Sequence, residues 1–281
     1  MHRRHFVTAL AAVGTIRAQP APVVRKGRLK QCVTKGVFSG MTSLDDMARE
    51  AARLGCKGFD LIEPADWPIL KKHGLLPTMY PPGPGGTISD ALNRTENHAR
   101  LEKLMHDALD LSAANGAPNV ITFSGNRRGM SDAEGADNCV TFLNKVKAHA
   151  EEKGVTICME LLNSKVNHKD YMCDHTAWGA DVMKRVNSPR VKLLYDIYHL
   201  QIMEGDIVRT IRDNIQWIGH FHTGGNPGRH EIDDTQELNY RFVAKAIADL
   251  GFTGYVAHEY SPAPGRDAIQ SLAQSMQIFD V

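Results

Sequence analysis

The chain has 281 residues, 42% of them apolar and 23% charged, which is enough to bury a sizeable core in one domain. Its 33 basic and 32 acidic residues leave a net charge of +1, which argues against nucleic acid or an anionic membrane surface as a partner. A small, locally recognised substrate is therefore the expected partner, and homo-oligomerisation is left open.

The first 22 residues, MHRRHFVTALAAVGTIRAQPAP, differ in kind from the rest of the chain. Arg3 and Arg4 precede an Ala-rich stretch that is too short to span a bilayer. This pattern is typical of a twin-arginine export signal and predicts a periplasmic or otherwise exported protein, with a cytoplasmic protein as the alternative. No later segment resembles a membrane span, so no stable membrane insertion is expected.

Apolar runs and helical spacing alternate through the first half of residues 29–281. Short apolar runs bounded by Gly, Pro or Asn predict buried strands, and apolar residues three or four positions apart predict helices. The predicted strands are 29–38, 56–63, 75–82 and 119–127. The predicted helices are 42–55, 67–73, 95–116 and a long one that ends at Gly154, with a Pro- and Gly-rich loop at 81–86.

The same alternation continues to the C-terminus. The second half predicts strands at 155–162, 191–200, 217–225 and 254–261, and helices at 175–186, 206–215, 239–251 and 266–279. Eight strand–helix pairs predict an α/β fold, a single (β/α)₈ TIM barrel that forms one catalytic domain over residues 29–281. An open doubly wound sheet is the competitor, but the turn after the first strand has no G-x-G-x-x-G phosphate motif.

Four residues that can bind metal lie toward the carboxyl ends of the last four predicted strands. They are Glu160, Asp196, His222 and Glu259. Since all strands of such a barrel open onto one face at their carboxyl ends, these residues should converge on one site. One such carboxylate alone is most often a helix cap or a surface charge. Together, three carboxylates and an imidazole predict a site for one hard divalent cation, Mn²⁺ or Mg²⁺ first.

The second half of the chain carries a family resemblance. The segments that carry it are YDIYHLQIMEGD (195–206), GHFHTGGNPGRHE (219–231) and ELNY (237–240). The stretch from Glu160 to Glu259 resembles hydroxypyruvate isomerase. From about Cys32 onward, the chain is more widely similar to the xylose-isomerase-like barrel superfamily of sugar isomerases and epimerases.

The resemblance implies a role for each candidate residue. Glu160, Asp196, His222 and Glu259 would bind the metal, and Glu160 and Glu259 would also form the catalytic pair. His199 and Arg229 would hold substrate oxygens, and Glu63, at the end of the second predicted strand, is a further candidate for substrate binding.

The chemistry of such an isomerase matches these residue types. Interconverting an aldose and a ketose form needs a base to remove a proton next to the carbonyl and an acid to return it to the neighbouring carbon. A divalent cation that holds both oxygens stabilises the enediolate formed in between. For hydroxypyruvate the product is tartronate semialdehyde, and Arg229 could bind the substrate carboxylate through two hydrogen bonds.

Other functions are kept open. A ketose 3-epimerase, or another isomerase or lyase of keto-sugars, needs similar groups. A non-enzymatic sugar-binding barrel would not need two carboxylates beside one metal. An abasic-site endonuclease would need further metal ligands and a basic groove, and the chain shows no Lys- and Arg-rich track.

Overall fold

The computed structural model describes residues 21–281, so the predicted export signal at 1–22 lies outside the described residues except for its last two positions. Within that part of the chain, eight parallel strands form a closed barrel in sequence order, with β1 pairing with β8. The strands are β1 (Lys30–Val33), β2 (Gly58–Asp60), β3 (Leu76–Gly85), β4 (Asn119–Thr122), β5 (Thr156–Leu161), β6 (Val191–Asp196), β7 (Ile218–Thr223) and β8 (Tyr255–His258). The predicted (β/α)₈ barrel is confirmed.

Helices connect the strands on the outside of the barrel. They are α1 (Leu44–Leu54), α2 (Trp67–Lys72), α3 (His98–Asn115), α4 (Asp132–Lys153), α5 (Thr176–Val186), α6 (Ile197–Met203), α7 (Ile207–Asn214), α8 (Tyr240–Asp249) and α9 (Ala268–Ile278). The hydroxyl of Ser131 accepts from Glu134 N at the start of α4, and left-handed Gly154 ends that helix. Among residues 21–281, none of these helices is long and apolar enough to cross a membrane.

The main core lies between the strands and the surrounding helices. Strand residues that point outward, such as Leu193 and Phe221, are fully buried against helix residues such as Phe142 and Ile247. Burying one side chain of this kind contributes about 1.5–3 kcal/mol. The barrel interior differs, because several of the side chains that point into it are polar. Most of the apolar packing therefore lies between the strands and the helices, and the polar side chains of the barrel interior can form a binding site.

Two predicted boundaries near the site are wrong. The run 191–200 was predicted as one strand, but β6 ends at Asp196 and the next residues form helix α6. The Asp196 side chain accepts a hydrogen bond from His199 N at 3.2 Å and caps that helix, which ends the strand. The second strand was predicted to end in Glu63, but β2 ends at Asp60 and a 3₁₀ turn, Pro64–Asp66, follows.

The first and third strands also differ from their predicted ranges. β1 covers only Lys30–Val33, and a 3₁₀ helix, Lys35–Phe38, takes up the rest of the run 29–38. In the other direction, β3 extends through Gly85 and includes most of the predicted loop 81–86. Gly85 packs closely against Thr122 of β4. A Cβ atom added to residue 85 would lie only 2.5 Å from the Cα atom of Thr122, which explains the glycine there.

Candidate metal centre

Four neighbouring strands place one candidate ligand each at the mouth of the barrel. Glu160 and His222 are the penultimate residues of β5 and β7, Asp196 is the last residue of β6, and Glu259 follows β8 directly. Asp196 and His222 are paired in register across β6 and β7. One potential ligand atom from each of the four residues lies within 4.8 Å of those from the other three. The structure thus brings together all four residues that the sequence predicts as ligands.

The His222 imidazole lies at the centre of this group. Its Nδ1 atom is 2.6 Å from Glu259 Oε2, 3.4 Å from Glu160 Oε1 and 3.9 Å from Asp196 Oδ2. Nevertheless, none of these contacts has the geometry of a hydrogen bond, and the buried Nδ1 atom has no hydrogen-bond partner among residues 21–281. A buried nitrogen without a partner, facing three carboxylates, fits a divalent cation that accepts one bond from each residue.

The surroundings shift the pKa values of these groups in different directions. Burial raises the pKa of Glu160 to about 7, and the positive charge of the nearby His222 offsets only part of that rise. Burial acts on Glu259 in the same sense, but the positive charges of His222 and Arg229 outweigh it and hold the Glu259 pKa below its usual range. The pKa of His222 is well above its usual value because the charge of Glu259 and a hydrogen bond to Asp60 outweigh the effect of burial.

Arg229 closes one side of the site. Its Nη2 atom lies 2.5 Å from both Asp196 Oδ2 and Glu259 Oε2, and the guanidinium stacks 4.8 Å from the centre of the Tyr198 ring. Its Nη1 atom is buried and has no hydrogen-bond partner in the described part of the chain. One nitrogen therefore holds two candidate ligands in place, and the other remains available for a substrate oxygen.

His199 lies in the first turn of α6, close to Asp196. Its Nδ1 atom accepts a hydrogen bond from Asn163 Nδ2 at 2.5 Å, which leaves the hydrogen on Nε2. That Nε2 atom is 3.9 Å from Asp196 Oδ2. Burial lowers the pKa of His199 to about 3, so the ring is neutral at physiological pH. His199 can thus donate one hydrogen bond at the edge of the site.

Glu63, by contrast, is not brought to this group. Its side chain is exposed, and it is not among the residues that line the cavity at the mouth of the barrel. The acidic residue of this segment that points inward is Asp60, the last residue of β2, which sequence reasoning missed. The sequence feature that could have identified Asp60 is its position next to Phe59, because a charged residue inside an apolar run is unusual. A substrate-binding role for Glu63 stays a prediction.

A cavity of about 420 Å³ opens above the site. Its lining residues are Thr34, Lys35, Gly36, Asp60, Leu61, Gly228, Arg229, Glu259, Tyr260 and Ser261. A larger cavity of about 570 Å³ lies at the opposite end of the barrel, where Lys30, Asn119 and Lys192 are among the residues that line it. The smaller cavity is the better candidate for a substrate, because it alone of the two is lined by a residue of the four-ligand group, Glu259, and by Arg229.

Comparison with known proteins agrees with the fold. A family model described as a xylose isomerase-like TIM barrel matches residues 48–279. The crystal structure of an AP endonuclease of family 2 from Brucella melitensis superposes with a TM-score of 0.79, at 24% identity, over 89% of this chain and 98% of that one. At this identity, the likeness supports the fold alone.

Curated relatives match over a shorter region. A 2-oxo-tetronate isomerase from Cupriavidus necator is 35% identical over 106 residues, which are 37% of this chain and 40% of that protein. The hydroxypyruvate isomerase of Escherichia coli is 33% identical over 106 residues, 37% of this chain and 41% of that protein. The matches thus span well under half the length of these relatives. Because the family model covers most of the chain and the barrel is closed, the protein belongs to the family of xylose isomerase-like TIM barrels.

Proposed function

We propose that this protein is a divalent-metal-dependent isomerase of small hydroxylated 2-oxo acids, with the conversion of hydroxypyruvate to tartronate semialdehyde as its first candidate reaction. The observation that carries the proposal is the convergence of Glu160 and Glu259 on one imidazole nitrogen, within a group of four potential ligands. The names of the relatives, a hydroxypyruvate isomerase and a 2-oxo-tetronate isomerase, support this substrate class.

The two glutamates provide the groups that the reaction needs. Isomerisation moves a proton between neighbouring carbons, so one carboxylate accepts it and a second group returns it. Glu160 and Glu259 both approach His222 Nδ1, at 3.4 Å and 2.6 Å, so each is close enough to the site to act on one of two neighbouring substrate carbons. A bound Mn²⁺ or Mg²⁺ would hold the adjacent substrate oxygens and stabilise their negative charge. Asp196 and His222 complete the ligand set.

The remaining polar groups would orient the substrate. Arg229 Nη1, which has no partner among residues 21–281, can donate to the substrate carboxylate or to its carbonyl oxygen. His199 Nε2–H can donate to a hydroxyl group, because Asn163 occupies the other nitrogen of the ring. Two donors and two carboxylates thus lie together at the mouth of the barrel, which suits a small anion that carries neighbouring oxygens.

Proton NMR in D₂O tests this function directly. Purified protein with Mn²⁺, and in parallel with Mg²⁺, is incubated with hydroxypyruvate, after which the metal is removed and the spectrum is recorded. We expect tartronate semialdehyde to form, with deuterium entering at carbon. Glu160→Gln and Glu259→Gln should each reduce turnover by about 10²-fold or more. Glu152→Gln, a change at an exposed residue of α4, serves as the matched control.

Three outcomes would count against the proposal. Full turnover in both glutamate variants would reject the proton-transfer roles. If the metal binds but neither product nor deuterium exchange is seen, hydroxypyruvate is not the substrate, and ketoses should be tested next, since a ketose 3-epimerase uses similar groups. Substrate binding without any turnover would favour a sugar-binding barrel.

A further inference from the structure

Below the four-ligand group, the carboxylate of Asp60 is completely buried in the barrel interior. Its Oδ2 atom lies 3.0 Å from His222 Nε2 and 2.7 Å from His220 Nε2. Its Oδ1 atom accepts a hydrogen bond from the Thr78 hydroxyl, and Cys32 Sγ lies 3.6 Å from the same oxygen. Side chains from β1, β3 and β7 therefore all contact one carboxylate of β2.

Three neighbours of Asp60 are placed to donate hydrogen bonds to it, namely the Thr78 hydroxyl, the Cys32 thiol and His222 Nε2. Asn119 Nδ2 lies 3.3 Å from His220 Nδ1, so His220 Nδ1 is the acceptor and the hydrogen of His220 is on Nε2, which lies close to Asp60 without hydrogen-bond geometry. Donors therefore lie on both oxygens of Asp60, as expected for an ionised carboxylate. An ionised carboxylate in this position needs these donors, because an unpaired buried charge is strongly destabilising.

The contact with His222 determines which nitrogen faces the metal site. Because Asp60 accepts only hydrogens, it keeps the His222 hydrogen on Nε2. The lone pair of the neutral ring is then on Nδ1, the atom that faces Glu160, Asp196 and Glu259. A carboxylate behind a metal-binding histidine fixes its tautomer and ring orientation and makes it a stronger ligand.

We propose that Asp60 is a positioning residue that holds His222 with Nδ1 directed at the divalent cation. This inference rests on the metal site of the proposed function and adds a residue that is not one of the four potential ligands. Loss of the Asp60 carboxylate would leave the His222 ring free to rotate or to move its hydrogen to Nδ1. Either change would remove one of the four ligands.

Asp60 could instead be a ligand of a second ion, because Cys32, Asp60 and His220 also form a group of potential ligands within 4.8 Å. The contacts argue against this. The Nε2 atom of His220 that faces Asp60 carries a hydrogen, and burial together with the charge of Asp60 raises the pKa of Cys32, so its sulfur remains a thiol. Two protonated groups make a poor ligand set.

Titration calorimetry with Mn²⁺ tests the inference on the whole protein. The Asp60→Leu variant removes the acceptor while keeping a similar volume, and we expect it to weaken Mn²⁺ binding by about 10- to 100-fold. Asp60→Asn retains one oxygen acceptor and should show a smaller loss, so it also serves if Asp60→Leu does not fold. The matched control is Thr78→Val, which removes a donor from the other oxygen of the same carboxylate. It should lower stability but leave Mn²⁺ affinity within about threefold of the unchanged protein.

NMR of ¹⁵N-histidine-labelled protein loaded with diamagnetic Zn²⁺ separates positioning from general damage to the core. His222, identified by the signal that disappears in His222→Gln, should carry its hydrogen on Nε2 in the unchanged protein and in Thr78→Val. In Asp60→Leu, we expect it to lose that single tautomer. An Asp60→Leu protein that keeps both the His222 tautomer and the Mn²⁺ affinity would overturn the inference.

The results also distinguish this inference from the proposed function. If the unchanged protein binds no divalent cation, the proposed metal site and the inference both fail. If it binds Mn²⁺ and Asp60→Leu binds equally well, only the inference fails. A stoichiometry of two ions that falls to one in Cys32→Ala would also overturn it, because Asp60 would then be a ligand.

Discussion

Arg229 and Glu259 meet at the mouth of the barrel, where a guanidinium nitrogen lies 2.5 Å from a carboxylate oxygen. The same nitrogen lies 2.5 Å from Asp196. Arg229 therefore contacts two candidate ligands at once, although it is on the loop after β7 and is separated from Asp196 by 33 residues of sequence. Replacing it should affect the substrate and the orientation of both carboxylates.

Arg229→Lys should weaken substrate binding more than metal binding. Lysine keeps the charge but cannot contact two carboxylates and still offer a second planar donor to the substrate. We expect KM to rise by about tenfold or more, with Mn²⁺ affinity changed by less than about threefold. Steady-state kinetics and calorimetry measure the two effects. Arg266→Lys, which affects an ion pair with Asp233, is the matched control. Equal losses of both affinities would reject the substrate role.

His199→Phe should remove a substrate hydrogen bond while keeping a ring of similar volume. The loss of one buried donor costs about 1–3 kcal/mol, so we expect KM to rise by roughly 5- to 100-fold. His168→Phe is a suitable control, because the His168 ring packs 5.1 Å from that of His199 but is only partly buried. An unchanged KM in His199→Phe would assign this histidine to packing alone.

Metal binding should release protons. Burial raises the pKa of Glu160 to about 7, and the pKa of His222 is also raised, so both groups carry protons in the metal-free protein near neutral pH. Both must lose them to bind a cation, so affinity should increase as the pH rises through about 7, where Glu160 titrates. Calorimetry in buffers with different ionisation enthalpies counts the released protons. Binding that does not change with pH would contradict this prediction.

The same raised pKa affects stability without metal. Folding raises the Glu160 pKa from its ordinary value of 4.5 to about 7, so between these values the folded state binds more protons than the unfolded state. This contribution to the free energy of unfolding is fully present below about pH 4.5 and is lost as the pH rises through about 7. Urea denaturation of Glu160→Gln should show a weaker fall in stability across this window than the unchanged protein. An identical fall in both proteins would mean that another group is responsible.

Mn²⁺ should raise the melting temperature. A ligand at about 100 times its dissociation constant stabilises the folded state by about 2.7 kcal/mol, which for a chain of this size corresponds to roughly 5–10 °C. Asp196→Asn should lose most of this shift, since it removes a charged candidate ligand. Asp213→Asn, a change at an exposed residue of α7, should keep it. Scanning fluorimetry with and without EDTA measures the difference.

Much of this fold could be predicted from sequence because the strands are buried on both faces. Runs such as 155–162 are almost continuously apolar, and the acidic residue near the end of each run marks the mouth of the barrel. The run 191–200 was harder to interpret. Its apolar residues suit a buried helix as well as a strand, and periodicity cannot separate the two in so short a segment. The change from strand to helix occurs where the Asp196 side chain accepts a hydrogen bond from His199 N.

Asp60 shows what sequence could not provide. The residues that contact it belong to three other strands, and His222 is 162 positions away. The residues around Asp60 in sequence do not indicate these contacts. Glu63, by contrast, ends an apolar run, which is where a residue of the site is expected. The strand ends earlier than that pattern suggests, so the inward position is taken by Asp60, and Glu63 is left in solvent.

Asp196 links two parts of the molecule through its two oxygens. Oδ1 caps helix α6, whereas Oδ2 contacts Arg229 and faces His222. Drawing Oδ2 toward a cation would fix the carboxylate and with it the first turn of the helix that carries His199. Hydrogen exchange at the amides of that turn should therefore slow when the ion binds, so the backbone itself reports whether the centre is filled.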